Sequence, residues 1–243
     1  MNTEIEAVMH NFINSPSEEI LKFFLGKYKD RIALASSLGA EDQVLTHMVL
    51  HINPQARIFI LDTGRLPQET YDVITETMKK YQMRYEVYFP EASDVEKMVS
   101  EFGPNLFYES IENRKKCCEV RKIKPLQRVL QTLDVWITGM RREQAITRSG
   151  INKIEWDEAN QLIKLNPLAD WTTEQVWDFI KTNEIPYNKL HDQNYPSIGC
   201  TPCTRAVQPG EDIRAGRWWW EEPEHKECGL HYRDGILMRG KKP

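Results

Sequence analysis

The sequence predicts an α/β protein with a doubly wound, mostly parallel sheet and an irregular C-terminal extension. The first observation is that short apolar runs alternate with amphipathic stretches between residues 31 and 138, as in a sheet covered by helices on both faces. The second is a loss of periodicity near residue 185, after which prolines, glycines and three of the five cysteines occur. We expect one domain over residues 1–243, with the α/β core at about 28–184 and the extension at about 185–243.

The predicted elements of the core follow one another as strand and helix. Apolar or alternating segments predict four strands, and amphipathic segments predict helices between them. The strands are expected at 31–36, 57–61, 84–89 and 134–138, and the helices at 41–52, 68–81 and 92–102.

Capping patterns predict the remaining helices. Ser15–Glu18 resembles a capping box with proline at the first helical position, which predicts a helix to about Gly26. Thr172–Gln175 resembles a second capping box and predicts another helix. A further helix is expected to begin near Cys117 and to continue to about residue 131, with a kink at Pro125.

Composition narrows the classes of partner. The formal net charge of −4 argues against a surface that binds nucleic acid. No apolar stretch is long enough to span a bilayer, and the N-terminal segment MNTEIEAVMHNFI is acidic where a secretory signal is basic. We therefore expect no nucleic-acid partner, no membrane span and a cytoplasmic location, where clustered cysteines more often bind metal or do redox work than form disulfides.

The cysteines fall into two pairs and a single thiol. Cys117 and Cys118 are adjacent, Cys200 and Cys203 form a Cys-x-x-Cys pair, and Cys228 stands alone. Residues 113–128 carry seven basic residues and one acid, which would offset the negative charge of four thiolates around a cluster. Because adjacent helical side chains diverge by about 100°, the pattern favours an iron–sulfur site, with a four-cysteine zinc site as the main alternative.

Three loops are expected to meet at the carboxyl edge of the sheet, where open α/β sheets bind ligands. The first offers small residues at the start of a helix, which suits phosphate, and the third is rich in arginine, which pairs with phosphate or sulfate through two parallel hydrogen bonds. Together they predict an anionic substrate. The candidate residues are Ser36, Ser37 and Gly39 after the first strand, Asp62, Thr63, Gly64 and Arg65 after the second, and Arg141, Arg142 and Arg148 after the fourth.

Cys228 is a candidate nucleophile. It lies three residues before His231, in a region that also contains Arg214 and Arg217. Cationic neighbours lower the pKa of a thiol and so increase the fraction present as the reactive thiolate. An inert exposed cysteine is the alternative interpretation.

Taken together, these motifs resemble the assimilatory adenylyl-sulfate (APS) reductase family, within the wider group of APS and PAPS reductases. The resemblance is carried by Lys116-Cys117-Cys118-Glu-Val-Arg-Lys122, by Cys200-Thr-Pro-Cys203 and by Glu227-Cys228-Gly-Leu-His231. Ser36-Ser-Leu-Gly-Ala-Glu-Asp42, Leu61-Asp-Thr-Gly-Arg65 and Gly139-Met-Arg-Arg-Glu-Gln144 reinforce it. The matching motifs extend from residue 36 to residue 231 and imply an adenine nucleotide alpha-hydrolase-like fold.

The resemblance implies a thioredoxin-dependent reductase that converts APS to sulfite and AMP. It assigns a [4Fe–4S] cluster to Cys117, Cys118, Cys200 and Cys203, and it makes Cys228 the nucleophile that becomes an S-sulfocysteine. Reduced thioredoxin would then attack this adduct. Lys122, Arg214, Arg217 and His231 would lie near the sulfate, while the three loops hold the adenosine phosphate.

Other functions stay open at this point. The nearest is reduction of PAPS, the 3′-phosphorylated substrate, or of both nucleotides. An ATP-pyrophosphatase-like enzyme would share the fold, but the Ser-Gly-Gly-x-Asp-Ser loop of that class is absent. A non-catalytic iron–sulfur or zinc protein is the third alternative, and a homo-oligomer is compatible with each of them.

Overall fold

One six-stranded sheet organises the structure, a computed structural model that describes residues 11–12, 14–144 and 148–222 and the backbone of two short segments beyond them. The strands are β1 Ile32–Ser36, β2 Arg57–Leu61, β3 Glu86–Tyr88, β4 Val135–Ile137, β5 Ile154–Asp157 and β6 Leu162–Leu165. Their order is β3-β2-β1-β4-β6-β5, and neighbours are parallel except for the antiparallel edge pair β5–β6. The two later segments pair antiparallel as β7 Tyr232–Arg233 and β8 Ile236–Leu237.

Helices connect these strands and cover the sheet. They are α1 Ser17–Tyr28, α2 Ala40–Ile52, α3 Gln68–Tyr81, α4 Ala92–Phe102, α5 Ile111–Cys118, α6 Lys124–Leu130 and α7 Thr173–Thr182. The predicted boundaries hold for β2, α3 and α4, while β1 and α2 each differ by one residue. Among the described residues, none of these helices combines the length and the apolar character that crossing a bilayer requires.

Alternate side chains of the central strands face opposite sides of the sheet. On β1, Leu34 packs into a large core with α1, α2 and α7, whereas Ala33 packs into a smaller core against α6. Phe59 of β2 and Trp136 of β4 also face α6. Because both faces are buried, the predicted doubly wound, mostly parallel α/β fold is confirmed.

The hairpin β5–β6 is the part of the sheet that the sequence pattern does not predict. Lys164 is buried and lies over the Trp136 ring, 5.4 Å from its centroid, and Asp157 is buried where the hairpin turns. Asp157 accepts hydrogen bonds from the backbone and side chain of Asn160, which close the turn. These charged residues at buried positions hide the apolar alternation on which a strand prediction depends.

The two predicted capping boxes have different outcomes. Thr172 and Gln175 form the reciprocal pair of hydrogen bonds at the start of α7, so that prediction is confirmed. At the start of α1 the prediction is wrong, because Pro16 precedes the first helical residue and makes no capping bond. Ser17 donates instead to the carbonyl of Pro167, 2.8 Å away, and so joins α1 to the loop after β6.

The cysteine-bearing helix begins earlier than predicted. Ser110 caps α5 by accepting a hydrogen bond from the backbone of Asn113, so the helix starts at Ile111 and ends at Cys118. A π-helical turn, Glu119–Ile123, follows before α6. Pro125 lies in the first turn of α6 and has no N–H to continue the α-helical pattern, so the interruption falls before the proline. From residue 185 to residue 222 the chain forms short 3₁₀ turns and loops, as expected of the extension.

Candidate active site

The four paired cysteines line one cavity. Cys117 and Cys118 come from the end of α5, and Cys200 and Cys203 come from the extension. The structure therefore brings together residues that are far apart in the chain, as the predicted cluster site requires. The remaining lining residues are basic or apolar: Arg65, Phe107, Arg114, Arg121, Lys122, Pro202, Arg217 and Trp218.

The Cys-x-x-Cys segment docks on the loop that follows β2. A 3₁₀ turn, Thr201–Cys203, is closed by a 2.9 Å hydrogen bond from the Cys203 amide to the Cys200 carbonyl. The amide of Thr201 donates to the carbonyl of Arg65, and the Thr63 hydroxyl lies 3.2 Å from the Cys200 sulfur. The cavity is thus tied to the carboxyl end of β2, where the sequence places the ligand-binding edge.

The protonation of the thiols responds to burial and to nearby charge. Burial raises the pKa of Cys203 to about 12, and the neighbouring Cys200 and Cys118 add to the increase. Burial also raises the pKa of Cys117. At Cys200 the effect of burial is outweighed by Lys122, by the Thr63 hydroxyl and by Arg217, which together lower the pKa. Burial thus opposes the thiolate at Cys117 and Cys203, while the nearby cations favour it at Cys200.

The donor set, four cysteines on one cavity, is one that an iron–sulfur cluster uses. Among the residues that the structure describes, no three Cys, His, Asp or Glu side chains converge closely enough to hold one metal ion. The four cysteines line a common cavity. A zinc ion requires all of its sulfur ligands at about 2.3 Å, whereas a cluster offers a separate iron to each cysteine.

Basic side chains around the cavity are held in place by the protein. Arg121 donates to the carbonyl of Thr63 at 2.6 Å, and so links the π-helical turn to the loop after β2. Arg217 is buried, lies 4.7 Å from the centroid of the Trp218 ring and donates to the carbonyl of Ile198 at 3.2 Å. With Lys122, these groups place positive charge beside the cysteine sulfurs.

The loop after β1 is shaped by a carboxylate. Ser37 donates from its backbone and its hydroxyl to Asp42 in α2, both at 2.6 Å. The Ser36 hydroxyl accepts from the amide of Leu38, whose φ of 64° is unusual for a residue with a branched side chain. Gly39 then precedes the first residue of α2. The loop turns sharply and leads into the helix as predicted.

The loop after β2 is an Asx turn. Asp62 accepts hydrogen bonds from the Gly64 amide at 2.8 Å and from the Tyr71 hydroxyl at 3.1 Å. Gly64 has a φ of 70°, the left-handed conformation that glycine adopts without strain. Arg65 donates to the carbonyl of Pro104 and lies 5.0 Å from the centroid of the Phe107 ring. The loop therefore connects the sheet edge with the wall of the cavity.

Arg141, the first arginine of the loop after β4, pairs with other groups of the protein. Arg141 is buried, pairs with Glu41 at 2.8 Å and donates to the carbonyl of Trp171 and the hydroxyl of Thr173. Its guanidinium thus joins α2 to the start of α7. Its predicted role as a substrate ligand stays a prediction.

The other predicted basic residues lie apart from the cavity lining. Arg142 donates to the carbonyl of Ile151, and Arg148 donates to Gln144 at 2.5 Å. The amide of Arg214 donates to the Asp212 carboxylate in a turn of the extension. Their roles in substrate binding stay predictions. Cys228 and His231, the predicted nucleophile and its neighbour, lie outside the described residues.

Two side chains with clear structural roles are not among the predicted site residues. Arg121 lines the cavity, and its sequence signal is its place in the basic segment beside the adjacent cysteines. Asp42 organises the loop after β1, but an acid in the first turn of a helix is typical of ordinary helix capping. Only the folded structure shows that Asp42 organises a loop in addition to lying in the first turn of a helix.

Sequence comparison identifies the class to which this fold and site belong. The family profile described as phosphoadenosine phosphosulfate reductase domain matches residues 31–206. The chain therefore belongs to this family of reductases, and the resemblance carried by its motifs is confirmed.

More particular similarity is found to proteins called adenosine 5′-phosphosulfate reductase. One from Allochromatium vinosum is 53% identical over 205 residues, which cover 84% of this chain and 80% of that protein. One from Burkholderia cepacia is 50% identical over 207 residues, which cover 85% of this chain and 83% of that protein. The chain is accordingly an enzyme, an oxidoreductase that acts on a sulfur group.

Solved structures support the fold. A phosphoadenylyl-sulfate reductase from Candida auris superposes with a TM-score of 0.72 at 24% identity, covering 85% of this chain and 98% of that one. Yeast FAD synthetase superposes with a TM-score of 0.54 at 12% identity, covering 85% of this chain and 70% of that one. Both likenesses support the predicted α/β fold.

Proposed function

We propose that this protein reduces adenosine 5′-phosphosulfate to sulfite and AMP in assimilatory sulfate reduction. Cys228 is the nucleophile, a [4Fe–4S] cluster is bound by Cys117, Cys118, Cys200 and Cys203, and thioredoxin is the reductant. The observation that carries the proposal is the cavity at the carboxyl end of β2, where the four cysteines meet Lys122 and Arg217. The names of the relatives that are half identical to this chain support the choice of substrate.

The chemistry is a transfer of the sulfo group followed by reduction. The Cys228 thiolate attacks the sulfur of APS, a sulfur–sulfur bond forms, and the bond from that sulfur to the phosphate oxygen breaks. AMP leaves with the electron pair of the broken bond. A thiolate of reduced thioredoxin then attacks the Cys228 sulfur and releases sulfite, which leaves a mixed disulfide. The second thioredoxin thiol attacks this disulfide, frees the Cys228 thiol and leaves thioredoxin oxidised. The thioredoxin dithiol thus supplies the two electrons of the reduction.

The described residues suit the charges of this reaction. The sulfate and phosphate of APS are anionic, and charge develops on AMP as it leaves, so fixed cations stabilise both the bound substrate and the transition state. Lys122 and Arg217 line the cavity, and Arg214 and His231 are proposed to join them at the sulfate. The loops of Ser36–Gly39, Asp62–Arg65 and Arg141–Arg148 are proposed to hold the nucleotide.

The cluster ligands connect two segments of the chain. Residues 117–118 and 200–203 meet only through the tertiary fold, and a bound cluster would hold the two segments together and tune the charge beside the substrate. Lys122, Arg121 and Arg217 would offset the negative charge of the thiolates. Reduced cysteines and a thiol reductant also suit a cytoplasmic location, which we include in the proposal.

Reduction of PAPS, alone or together with APS, is the alternative. It is favoured by the description of the matching family, which refers to phosphoadenosine phosphosulfate. Turnover of the two nucleotides by the same preparation separates these cases. A preference for APS supports the main proposal, and a preference for PAPS replaces it.

Intact-mass measurement tests the proposed intermediate. Protein purified without oxygen is mixed with APS in the absence of reductant and weighed, alongside Cys228→Ser. We expect the wild type to gain one sulfo group and Cys228→Ser to gain none, and reduced thioredoxin should remove the gain and release sulfite. A wild-type protein that contains its iron but forms no adduct would falsify the proposal.

A further inference from the structure

One buried carboxylate lies between two loops at the edge of the sheet. Asp42 is 7% exposed and accepts hydrogen bonds from the backbone and the hydroxyl of Ser37, in the loop after β1. The same carboxylate also lies directly against Gly139, in the loop after β4. Since β1 and β4 are neighbours in the sheet, a single side chain lies between the two loops that follow them.

Gly139 is shaped to receive this carboxylate. A Cβ atom at position 139 would lie 2.2 Å from Oδ1 of Asp42, closer than any side chain allows. Gly139 does not have a positive φ, so its backbone conformation is open to other residues. The absence of a side chain is therefore required by the close approach of Asp42 and not by the turn itself.

Burying the Asp42 carboxylate is energetically less favourable than exposing an acid at the start of the helix to solvent. Burial raises the pKa of Asp42 to about 6, and the negative charge of Glu41 adds to the increase, while the hydrogen bonds from Ser37 oppose it. The Arg141 guanidinium pairs with Glu41, and the hydrogen bonds to Asp42 come from Ser37. A solvent-exposed acid in the same turn would satisfy the helix without this penalty.

We propose that Asp42 is a positioning residue that fixes the loop Ser37–Gly39 against Gly139, and so sets the distance between two loops that bind the nucleotide. The inference rests on the proposed function, because it assumes that these two loops bind the nucleotide. Asp42 acts through Ser37 and Gly139 and does not itself contact the reacting sulfur.

Steady-state kinetics and AMP binding test the consequence for the substrate. The variants are Asp42→Ala, Asp42→Asn, which keeps one acceptor oxygen, and Gly139→Ala, which displaces the carboxylate while leaving it in the chain. We expect KM for APS and Kd for AMP to rise about tenfold or more in Asp42→Ala and Gly139→Ala, with kcat little changed and an intermediate effect in Asp42→Asn. Gly26→Ala in α1, where an added Cβ has no neighbour within 4 Å, is the matched control and should leave all three constants unchanged.

Amide hydrogen exchange of the ligand-free holoenzyme tests the positioning directly. The Ser37 amide, which donates to Asp42, should exchange faster in Asp42→Ala and in Gly139→Ala than in wild type, and β2 should keep its protection. Unchanged exchange at the Ser37 amide in both variants, or a fall in kcat with KM and AMP affinity preserved, overturns the inference. If the wild type fails to turn over APS, the proposed function is lost, while the exchange and AMP measurements still decide the role of Asp42.

Discussion

The Arg114 guanidinium and the Glu221 carboxylate form a buried ion pair through two parallel hydrogen bonds of 2.9 and 2.8 Å. Their side chains are 0% and 3% exposed, and Arg114 also lies 4.7 Å from the centroid of the Trp218 ring. Arg114 is one turn before Cys117 on α5, and Glu221 is near the end of the described extension. The pair therefore joins the helix that carries Cys117 and Cys118 to the segment that leads toward Cys228.

We expect Glu221→Gln and Arg114→Lys to destabilise the protein and to weaken iron binding. Breaking one partner of a buried pair leaves a charge without compensation, at a cost of about 3 to 5 kcal/mol, and lysine cannot reproduce the two parallel hydrogen bonds. The measurements are urea unfolding and iron content per chain after anaerobic purification.

The extension offers a matched control for this pair. Arg205 and Glu211 also form two hydrogen bonds, but their side chains are 35% and 32% exposed. Glu211→Gln should cost no more than about 1 kcal/mol and should retain its iron. Equal losses in Glu211→Gln and Glu221→Gln would show that the buried pair has no special part in joining the two segments.

A second prediction compares the two capping boxes suggested by the sequence. Thr172→Ala should lower the free energy of unfolding by about 1 kcal/mol, because it removes the acceptor for the Gln175 amide at the start of α7. Ser15→Ala should have almost no effect, because α1 has no side-chain cap. Urea unfolding of both variants is the measurement, and a similar loss in each would contradict the structural difference between the helix starts.

These helix starts show how far sequence reasoning can go. Local signals were sufficient for β2, α3 and α4, whose apolar periodicity and flanking turns belong to the same short segment. They were insufficient for α1, because the partner of Ser17 is the carbonyl of Pro167, which is distant in the chain. The hairpin β5–β6 was missed for a related reason, since Lys164 is buried by packing over Trp136.

The candidate site likewise contains residues that local sequence predicts and residues whose role depends on distant parts of the chain. The four cysteines were found from their spacing and neighbours, which are local properties. The carboxylate of Asp42 could not be distinguished from a helix cap, because its role depends on Gly139 in another loop. Arg141 was identified as basic, but its pairing with Glu41 appears only when α2 and the loop after β4 are folded together.

The raised pKa of Asp42 predicts a pH dependence of stability. Its pKa is about 6 in the folded protein against an ordinary value of 3.8, mainly because of burial, with Glu41 as a further cause and Tyr85 also facing it. The folded state therefore binds more protons than the unfolded state between these two values. The contribution of this group to stability accordingly falls as the pH rises through that window.

Asp42→Asn does not titrate and provides the reference. Relative to this variant, the wild type should lose about 1 to 2 kcal/mol of unfolding free energy from about pH 5 to about pH 7. Urea unfolding of both proteins across this range gives the difference. A difference that is constant with pH, or that changes in the opposite direction, would contradict the assignment of the raised pKa to Asp42.

The last prediction concerns Gly199, next to Cys200. A Cβ at position 199 would lie 2.3 Å from a terminal nitrogen of the Arg217 guanidinium, so the glycine leaves room for the arginine at the cavity. We expect Gly199→Ala to displace Arg217 and to lower kcat/KM for APS by about tenfold to a hundredfold, as removal of a charged hydrogen bond does. Arg217→Gln should have a similar effect.

A double-variant cycle decides whether Gly199 acts through Arg217. If the alanine works by moving the guanidinium, the double variant Gly199→Ala, Arg217→Gln should be no worse than Arg217→Gln alone, because the same interaction is lost in each case. Iron content should match that of the wild type in all three variants, which separates an effect on the substrate from damage at Cys200. Gly26→Ala serves as the control for an added methyl group in an open position. Effects that multiply in the double variant would mean that Gly199 serves the site by a route independent of Arg217.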